Sequence, residues 1–476
     1  MTSAATPVAA VDLGATSGRV ILGHVSSTEL RLTPVARFVN QPVRTSDGLH
    51  WDLLHLYGSV LAGLASAVRD EPEVASVAVD SWAVDYGLLR GGRLLGVPYH
   101  YRDERTALGV QRVHQAISPE ELYARNGLQF LPFNTLYQWE VERDSLLDLA
   151  EHALLVPDLI GYWLGGSVVA ERTNASTTGL VNVHDGRWDE ELISRLDLPR
   201  GILPELVQPG TALTGLRPGV AAELGRELEV IAIGSHDTAS AVVAVPATEP
   251  DFAYISCGTW ALVGVELEAP VVSEASRVAR FTNEGGVDGR VRYLHNVMGL
   301  WLLSESVRSW ERDGERIDLP ALLAEAAAVT TPVAVFDPDD ERFLAPGDLP
   351  ARIAELCRER GLPVPNSRAE FVRSILESLA DAFGRTVRTA QQLTGKAVSV
   401  IHIVGGGSQN ELLCQLTADR AGLPVLAGPV EATALGNVLV QARSRGIVHG
   451  DLESLRALVA RAFPPQRYLP RPGVHG

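Results

Sequence analysis

A chain of 476 residues, 46% hydrophobic and 21% charged, exceeds what one core usually serves and is too apolar for a disordered polymer, so about two or three globular domains are expected. Its formal net charge of −17, with the basic residues scattered, argues against nucleic acid or an anionic membrane as the principal partner. Three cysteines without a CxxC pair suggest neither a disulfide framework nor a zinc site, and the opening MTSAATP has no basic or long apolar leader, so a cytoplasmic location is expected.

The first element is Val8 to Val25, VAAVDLGATSGRVILGHV. A buried run ends at Asp12, a short stretch holding Gly14 and Gly18 follows, and a second apolar run leads away, which predicts a strand, a tight turn and a returning strand. Backbone N–H groups at such a tip can cradle phosphate oxygens. Thr16, Ser17 and Arg19 add hydroxyl and cationic contacts, and Asp12 stands where a carboxylate would hold Mg²⁺ beside a nucleotide phosphate. The Lys-Ser/Thr pair of a Walker loop and the third glycine of a dinucleotide fingerprint are both missing, and an ordinary hairpin with a glycine turn is the alternative on this stretch alone.

Glu29 to Asn40 reads as a third strand, placed toward an edge by Pro34, and Trp51 to Arg69 has the apolar spacing of a helix. Val74 to Asp80 is a buried strand ending in a carboxylate, and Gly91-Gly92 marks a hairpin turn. Ser81, Trp82, Asp85 and Tyr86 follow the strand's carboxyl end, where open α/β folds meet ligands, and are candidates to touch a small polar substrate. Ser118 to Asn126 opens as a helix, Gly127 to Trp139 reads as a loop entering another, and Glu171 to Val183 suits either a solvated loop or a pocket wall. Val230 to Ile233 is a short strand followed by GSHDTASAVVAV, which puts Asp237 in a first helical turn, as a plain cap or as a working carboxylate. The small residues Ala239, Ser240 and Ala241 would admit a close neighbour.

Ala247 to Asp251 is the expected boundary between halves. Asp251 to Glu266 then repeats the plan of the first hairpin, with Ser256, Gly258 and Thr259 at its tip, which suggests a duplicated architecture of the actin-like kind. Asn283, Glu284 and Gly285-Gly286 read as a turn before a strand, and His295 and Asn296 precede an apolar helix. Phe371 to Leu393 is a long amphipathic helix, and Ile401 to Gly407 is a strand running into three glycines and a helix from near Ser408, as a flat ligand such as adenosine requires. Asn410 to Ala421 and Gly428 to Arg443 read as helices, the second with small residues on one face.

Two phosphate hairpins, an Mg²⁺ carboxylate, a glycine platform and an aspartate at a helix start fit phosphoryl transfer from ATP to a hydroxyl. An ordinary aspartate, with a pKa of about 3.9, is too weak to ionise an alcohol in advance, so Asp237 would orient the hydroxyl and receive its proton late.

VDLGATSGR, VDSWAVDYG, YRDERT, GLQFLPFNTLYQ, TNASTTGLVNV, SHDTASAV, SCGTWALVG, TNEGG, NVMGLWLL, VGGGSQN and GPVEATALGN occur in the order and spacing of the FGGY carbohydrate kinases, which the chain resembles over nearly its whole length. The resemblance implies an actin-like ATPase (ribonuclease H-like) α/β fold in two similar domains, 1–246 and 247–476, around a central nucleotide and sugar cleft. Its motifs are most similar to the branch that transfers the γ-phosphoryl of MgATP to the 1-hydroxyl of L-rhamnulose. On that resemblance Ala15, Thr16, Ser17, Gly18, Arg19, Thr259, Ser304, Gly405 and Gly406 would meet ATP, with Asp12 near the metal. Ala83, His236, Asp237, Thr238 and Asn296 would meet the sugar, with Asp237 the catalytic proton acceptor. The partners implied are the sugar and ATP, without nucleic acid or membrane, in a monomer or homodimer. Two positions depart from the pattern, Ala83 where relatives commonly carry Gly and Ser304 where they carry Gln. A kinase for another ketose (L-fuculose, D-xylulose or L-ribulose) and an actin-like ATP-binding regulator are the rival expectations.

Overall fold

The computed structural model describes residues 5–312, 314 and 316–472; residues 1–4, on which part of the N-terminal reading rests, lie outside them. In chain order the elements used below are β1 (Thr6–Leu13), β2 (Ser17–Val25), β3 (Leu30–Val39), α1 (Leu53–Asp70), β4 (Ser76–Ser81), β5 (Ala212–Gly215), β6 (Glu229–Ile231), α2 (Asp237–Val243), β7 (Phe252–Cys257), β8 (Trp260–Leu267), β9 (Val291–Met298), α3 (Trp301–Arg312), α4 (Arg368–Thr394), β10 (Val400–Val404), α5 (Glu411–Ala421), β11 (Val425–Ala427), α6 (Ala432–Ser444), α7 (Leu452–Ala462) and β12 (Gln466–Tyr468). The chain forms two compact units and passes between them more than once. One takes the chain up to Thr248 with Glu266–Tyr293 and Glu431–Phe463, and the other takes Glu249–Val265, Leu294–Val430 and the chain after Pro464.

The first unit is built on a six-stranded sheet in the order β5-β6-β4-β1-β2-β3. β1 is antiparallel to β2 and parallel to β4, with Asp12 opposite both Arg19 and Asp80. Its apolar run is continuous because both faces are covered. Val11 and Leu13 pack with Val77 and Val79 against Leu56, Val60 and Leu64 of α1. α1 starts where the Asp52 carboxylate accepts from the His55 N–H at 3.0 Å, and its buried stripe recurs at helical spacing. β3 is the edge strand, and the register shifts between Val20 and Ile21, so Pro34 sits where its missing N–H costs no ladder bond.

On the other face lie α2 and α6. A Cβ on Gly436 would stand 1.8 Å from the Ser240 carbonyl oxygen, so the small residues of both helices serve one close crossing. The Arg456 guanidinium of α7, fully buried, pairs with Glu266 at 2.8 and 2.9 Å and donates to the Val242 carbonyl at the end of α2.

The second unit repeats the plan. Its strands run in the order β9-β8-β7-β10-β11-β12, with β7 antiparallel to β8 and parallel to β10, as β1 is to β2 and β4. α4 packs on α5, where Gly384 leaves room for the Arg420 carbonyl. No helix among the described residues is long and apolar enough to cross a membrane.

Three local expectations are corrected. Asn283, Glu284 and Gly285 lie in a strand, not a turn, because the Asn283 backbone and side-chain N–H groups both donate to the Gly127 carbonyl. The helix expected from Gly428 begins at Ala432, since Gly428 adopts φ 110°, a backbone that no right-handed helix accommodates. The glycines after β10 enter a 3₁₀ turn at Gly406–Gln409, and the α-helix starts at Glu411 with the Asn410 side chain as its cap.

Candidate functional site

In the first unit, four elements bring charged groups to one place. Asp12 ends β1, Arg19 answers it across the hairpin, Asp237 opens α2, and Glu431 immediately precedes α6. Arg19 Nε stands 3.1 Å from Asp12 Oδ2, and its Nη1 bonds Glu431. Burial pushes the Asp12 carboxyl up to about 6; Arg19 opposes that rise, while the charges of Asp237 and Glu431 add to it. Asp80, opposite Asp12 in the sheet, is also raised, first by burial and then by the Asp12 charge.

At the hairpin tip the Gly14 N–H donates to the Ser17 carbonyl at 2.9 Å, and the Asn40 side chain donates to the Gly14 carbonyl at 2.9 Å. Thr16 is exposed, while Ala15 and Ser17 are half-buried. Neither tip glycine needs a left-handed backbone. Gly18 is required instead because a Cβ there would lie 2.2 Å from the Phe38 ring.

The turn into α2 is held from below. Glu171, wholly buried, accepts from the Ser235 N–H and hydroxyl at 2.9 and 2.8 Å and from Thr173 Oγ1 at 2.6 Å. The ambiguous stretch from Glu171 is therefore a buried wall. The Ser81 N–H donates to the Ser235 carbonyl at 2.9 Å, which sets the end of β4 beside His236. Arg292 Nη2 donates to His236 Nδ1 at 3.1 Å and pairs with Glu284 at 3.1 Å. His236 Nδ1 also lies 3.4 Å from Glu284 Oε2, and its Nε2 lies 3.4 Å from Asp237 Oδ1. That same oxygen accepts from the Thr238 N–H at 2.6 Å, leaving the Asp237 side chain 31% exposed.

Asp85, a candidate for substrate contact, has a structural part as well. It is buried, and its two oxygens accept from Trp51 Nε1 (2.6 Å), Trp82 Nε1 (3.1 Å), the Tyr101 N–H (3.1 Å) and Gln138 Nε2 (3.0 Å). Three of these donors meet Oδ2 and one meets Oδ1, so the carboxylate ties Trp51, Trp82 and Gln138 together. Tyr86 is buried edge-on against Trp139. Between these groups Val84 adopts φ 67°, while half-buried Ala83 keeps an ordinary backbone that tolerates its methyl.

In the second unit the predicted nucleotide residues cluster around the β7–β8 tip. The Trp301 N–H donates to the Thr259 carbonyl at 3.1 Å and the Leu300 N–H to the Gly258 carbonyl at 3.0 Å, so α3 starts on the tip, and Ser304 is exposed one turn into it. Asn296 stands half-buried on β9, beside His295, whose ring is 2.9 Å from Asp339. Gly405 adopts φ 81° beside the Cys257 carbonyl, Gly407 is filled against the Cys257 thiol, and Gly406 is open. Cys257 is a buried packing group, its thiol pushed up to about 12 by burial.

Glu431, Arg292, Glu284 and Glu171 were not foreseen as site residues. Glu431 lies 412 residues from Arg19 along the chain, and no spacing rule reaches that far.

Two units that each place an antiparallel hairpin beside a parallel strand define a fold of the actin-like ATPase class. Solved structures agree: a ligand-bound xylulose kinase from Lactobacillus acidophilus superposes with a TM-score of 0.80 at 18% identity, over 98% of this chain and 94% of that one. A Plasmodium falciparum glycerol kinase with ADP superposes with a TM-score of 0.77 at 14% identity, over 98% and 94%. The sequence profile of the FGGY family of carbohydrate kinases, N-terminal domain, matches residues 8–244, and that of the C-terminal domain matches 253–445. A protein named rhamnulokinase from Pectobacterium carotovorum is 44% identical over 472 residues, 98% of this chain and 93% of its own. One of the same name from Bacteroides thetaiotaomicron is 40% identical over 467 residues, 97% and 95%. This chain belongs to the FGGY family of carbohydrate kinases; it is a sugar kinase, with ATP as its phosphoryl donor.

Proposed function

We propose that this kinase transfers the γ-phosphoryl of MgATP to the 1-hydroxyl of L-rhamnulose, giving L-rhamnulose 1-phosphate and ADP. The observation that carries the choice of sugar is the 44% identity, over 98% of the chain, to a protein named rhamnulokinase. The reaction class rests on Asp237, partly exposed at a helix start and set among Asp12, Arg19 and His236. Asp237 orients the hydroxyl and takes its proton as the oxygen–phosphorus bond forms and the bond to the bridging oxygen of ADP breaks. His236, held by Arg292, and Thr238 fix the sugar beside it. Arg19 and the 15–18 tip meet and neutralise the phosphates, and Thr259, Ser304, Gly405 and Gly406 hold the nucleotide.

Asp12 fits a magnesium ion: it is a buried carboxylate whose Oδ2 has the Arg19 guanidinium as its ion-pair partner at 3.1 Å, and carboxylate oxygen suits a hard cation. When bound, Mg²⁺ supplies charge neutralisation at the phosphates. ATP as co-substrate, together with three buried, unpaired cysteines, supports a cytoplasmic enzyme. The test is ADP formation from MgATP with L-rhamnulose beside L-fuculose, D-xylulose, L-ribulose and glycerol; preference for another ketose would move the specificity and point to Ala83.

A further inference from the structure

Asp12 and Asp80 are directly opposite one another on the parallel strands β1 and β4, so their side chains project to the same face of the sheet. That face carries α6. Ser76 Oγ donates to Gln441 Oε1 at 2.7 Å, Gln441 Nε2 donates to Asn437 Oδ1 at 2.7 Å, and Asn437 Nδ2 donates to Asp80 Oδ2 at 2.6 Å. The ladder has one direction, because each amide uses its oxygen on the rung before and its N–H on the rung after. It ends by binding one oxygen of Asp80 and leaves the other, Oδ1, buried with no hydrogen-bond partner. Asp80 is 0% exposed and Asp12 is 3% exposed, and Asp12 Oδ2 has the Arg19 Nε at 3.1 Å as its ion-pair partner while Asp80 Oδ1 has none.

The charges do not balance. Asp12, Asp80, Asp237 and Glu431 act on one another through space, and the one guanidinium named among them is Arg19, already engaged by Asp12 and Glu431. An aspartate needed only to receive the Asn437 amide would not require its second oxygen, and a buried unpaired charge is strongly destabilising. A divalent cation removes both problems.

We propose that Asp80 is a second carboxylate for the magnesium ion of the kinase reaction, paired with Asp12 across the sheet and held in place by the Ser76-Gln441-Asn437 ladder. The proposal rests on the ATP-dependent kinase reading and is independent of which sugar is used. It makes α6 a part of the metal site through Asn437, although no α6 residue need touch the ion.

The test is Mn²⁺ binding to the full-length protein in the presence of ADP and without sugar, followed by electron paramagnetic resonance. Asp80→Asn keeps the shape and an acceptor for Asn437 but removes the charge, and is expected to weaken Mn²⁺ at least about tenfold. Asp80→Ser, which also keeps an acceptor in a smaller volume, should do the same and serves if the amide does not fold. Asn437→Ala should weaken Mn²⁺ less than either. Unchanged Mn²⁺ affinity in a folded Asp80 variant overturns the proposal. Weakened Mn²⁺ in Asp80→Asn beside a wild type inert toward L-rhamnulose would uphold this inference and overturn the choice of sugar, whereas full L-rhamnulose turnover with unchanged Mn²⁺ affinity would overturn this inference alone.

Discussion

Replacing Gly436 by Ala tests whether the crossing of α6 and α2 positions the proton acceptor. The new methyl would begin 1.8 Å from the Ser240 carbonyl oxygen, a backbone atom that cannot rotate away. Carbon and carbonyl oxygen rest at about 3.3 Å, so the helices must part by roughly 1.5 Å. Ser240 is tied to the turn below it, since its hydroxyl donates to the Gly234 carbonyl at 2.7 Å, and that turn carries His236 and Asp237. Overpacking of this kind costs about 1–3 kcal/mol, against about 1 kcal/mol gained from helix propensity, and the crowding wins because the obstacle is backbone. A displacement of about 1 Å at reacting groups costs on the order of 10²-fold in rate. Gly58, exposed in α1 with nothing within 4 Å of the place a methyl would take, is the matched control. Gly58→Ala should raise the thermal midpoint slightly and leave kcat alone, whereas Gly436→Ala should lower both in calorimetry and steady-state kinetics. If Gly436→Ala behaves as Gly58→Ala does, the crossing does not position Asp237 and the reasoning is refuted.

Asp237→Ala should retain nucleotide binding by calorimetry while sugar-dependent turnover falls by about 10²–10⁴-fold, and near-normal turnover would remove Asp237 from its role. Burial raises Asp85 from 3.8 to about 6, so the folded chain holds a proton that the unfolded chain releases between those values, and stability falls as pH rises through that window by roughly 3 kcal/mol. Asp85→Asn cannot ionise, so denaturation curves from pH 4 to pH 7 should shift in the variant's favour by about that amount, and parallel curves would contradict the assignment. Arg456→Leu leaves Glu266 buried and unpaired and should cost about 3–5 kcal/mol in denaturant unfolding; adding Glu266→Leu should recover most of it, and losses that simply add would show the pair is not coupled.

The hairpins and the long helices were legible because they depend on local signals: apolar periodicity, turn residues and caps such as Ser118 and Asn410, each accepting from an N–H three residues on. The duplicated plan was legible for the same reason, since both hairpins end in the same run of small polar residues. Partnerships across the chain were not. Arg19 with Glu431, His236 with Arg292 and Asp80 with Asn437 join segments whose proximity exists only once the sheet is built. Asp85 shows the limit from the other side. Its place after a strand pointed to a ligand, while the two indole N–H groups, the backbone N–H and the amide that it also binds come from segments no local signal joins, and the left-handed backbone of Val84 is strain that this arrangement offsets. Gly18 was singled out for backbone freedom and is needed for space beside Phe38, a distinction that only packing reveals.

The most direct test of the account is sugar-dependent ADP formation by the purified protein from MgATP, with L-rhamnulose, L-fuculose, D-xylulose, L-ribulose and glycerol run side by side. The account predicts the highest kcat/KM with L-rhamnulose and little ADP without sugar. ADP release that no sugar stimulates, or a higher kcat/KM for another acceptor, would contradict it.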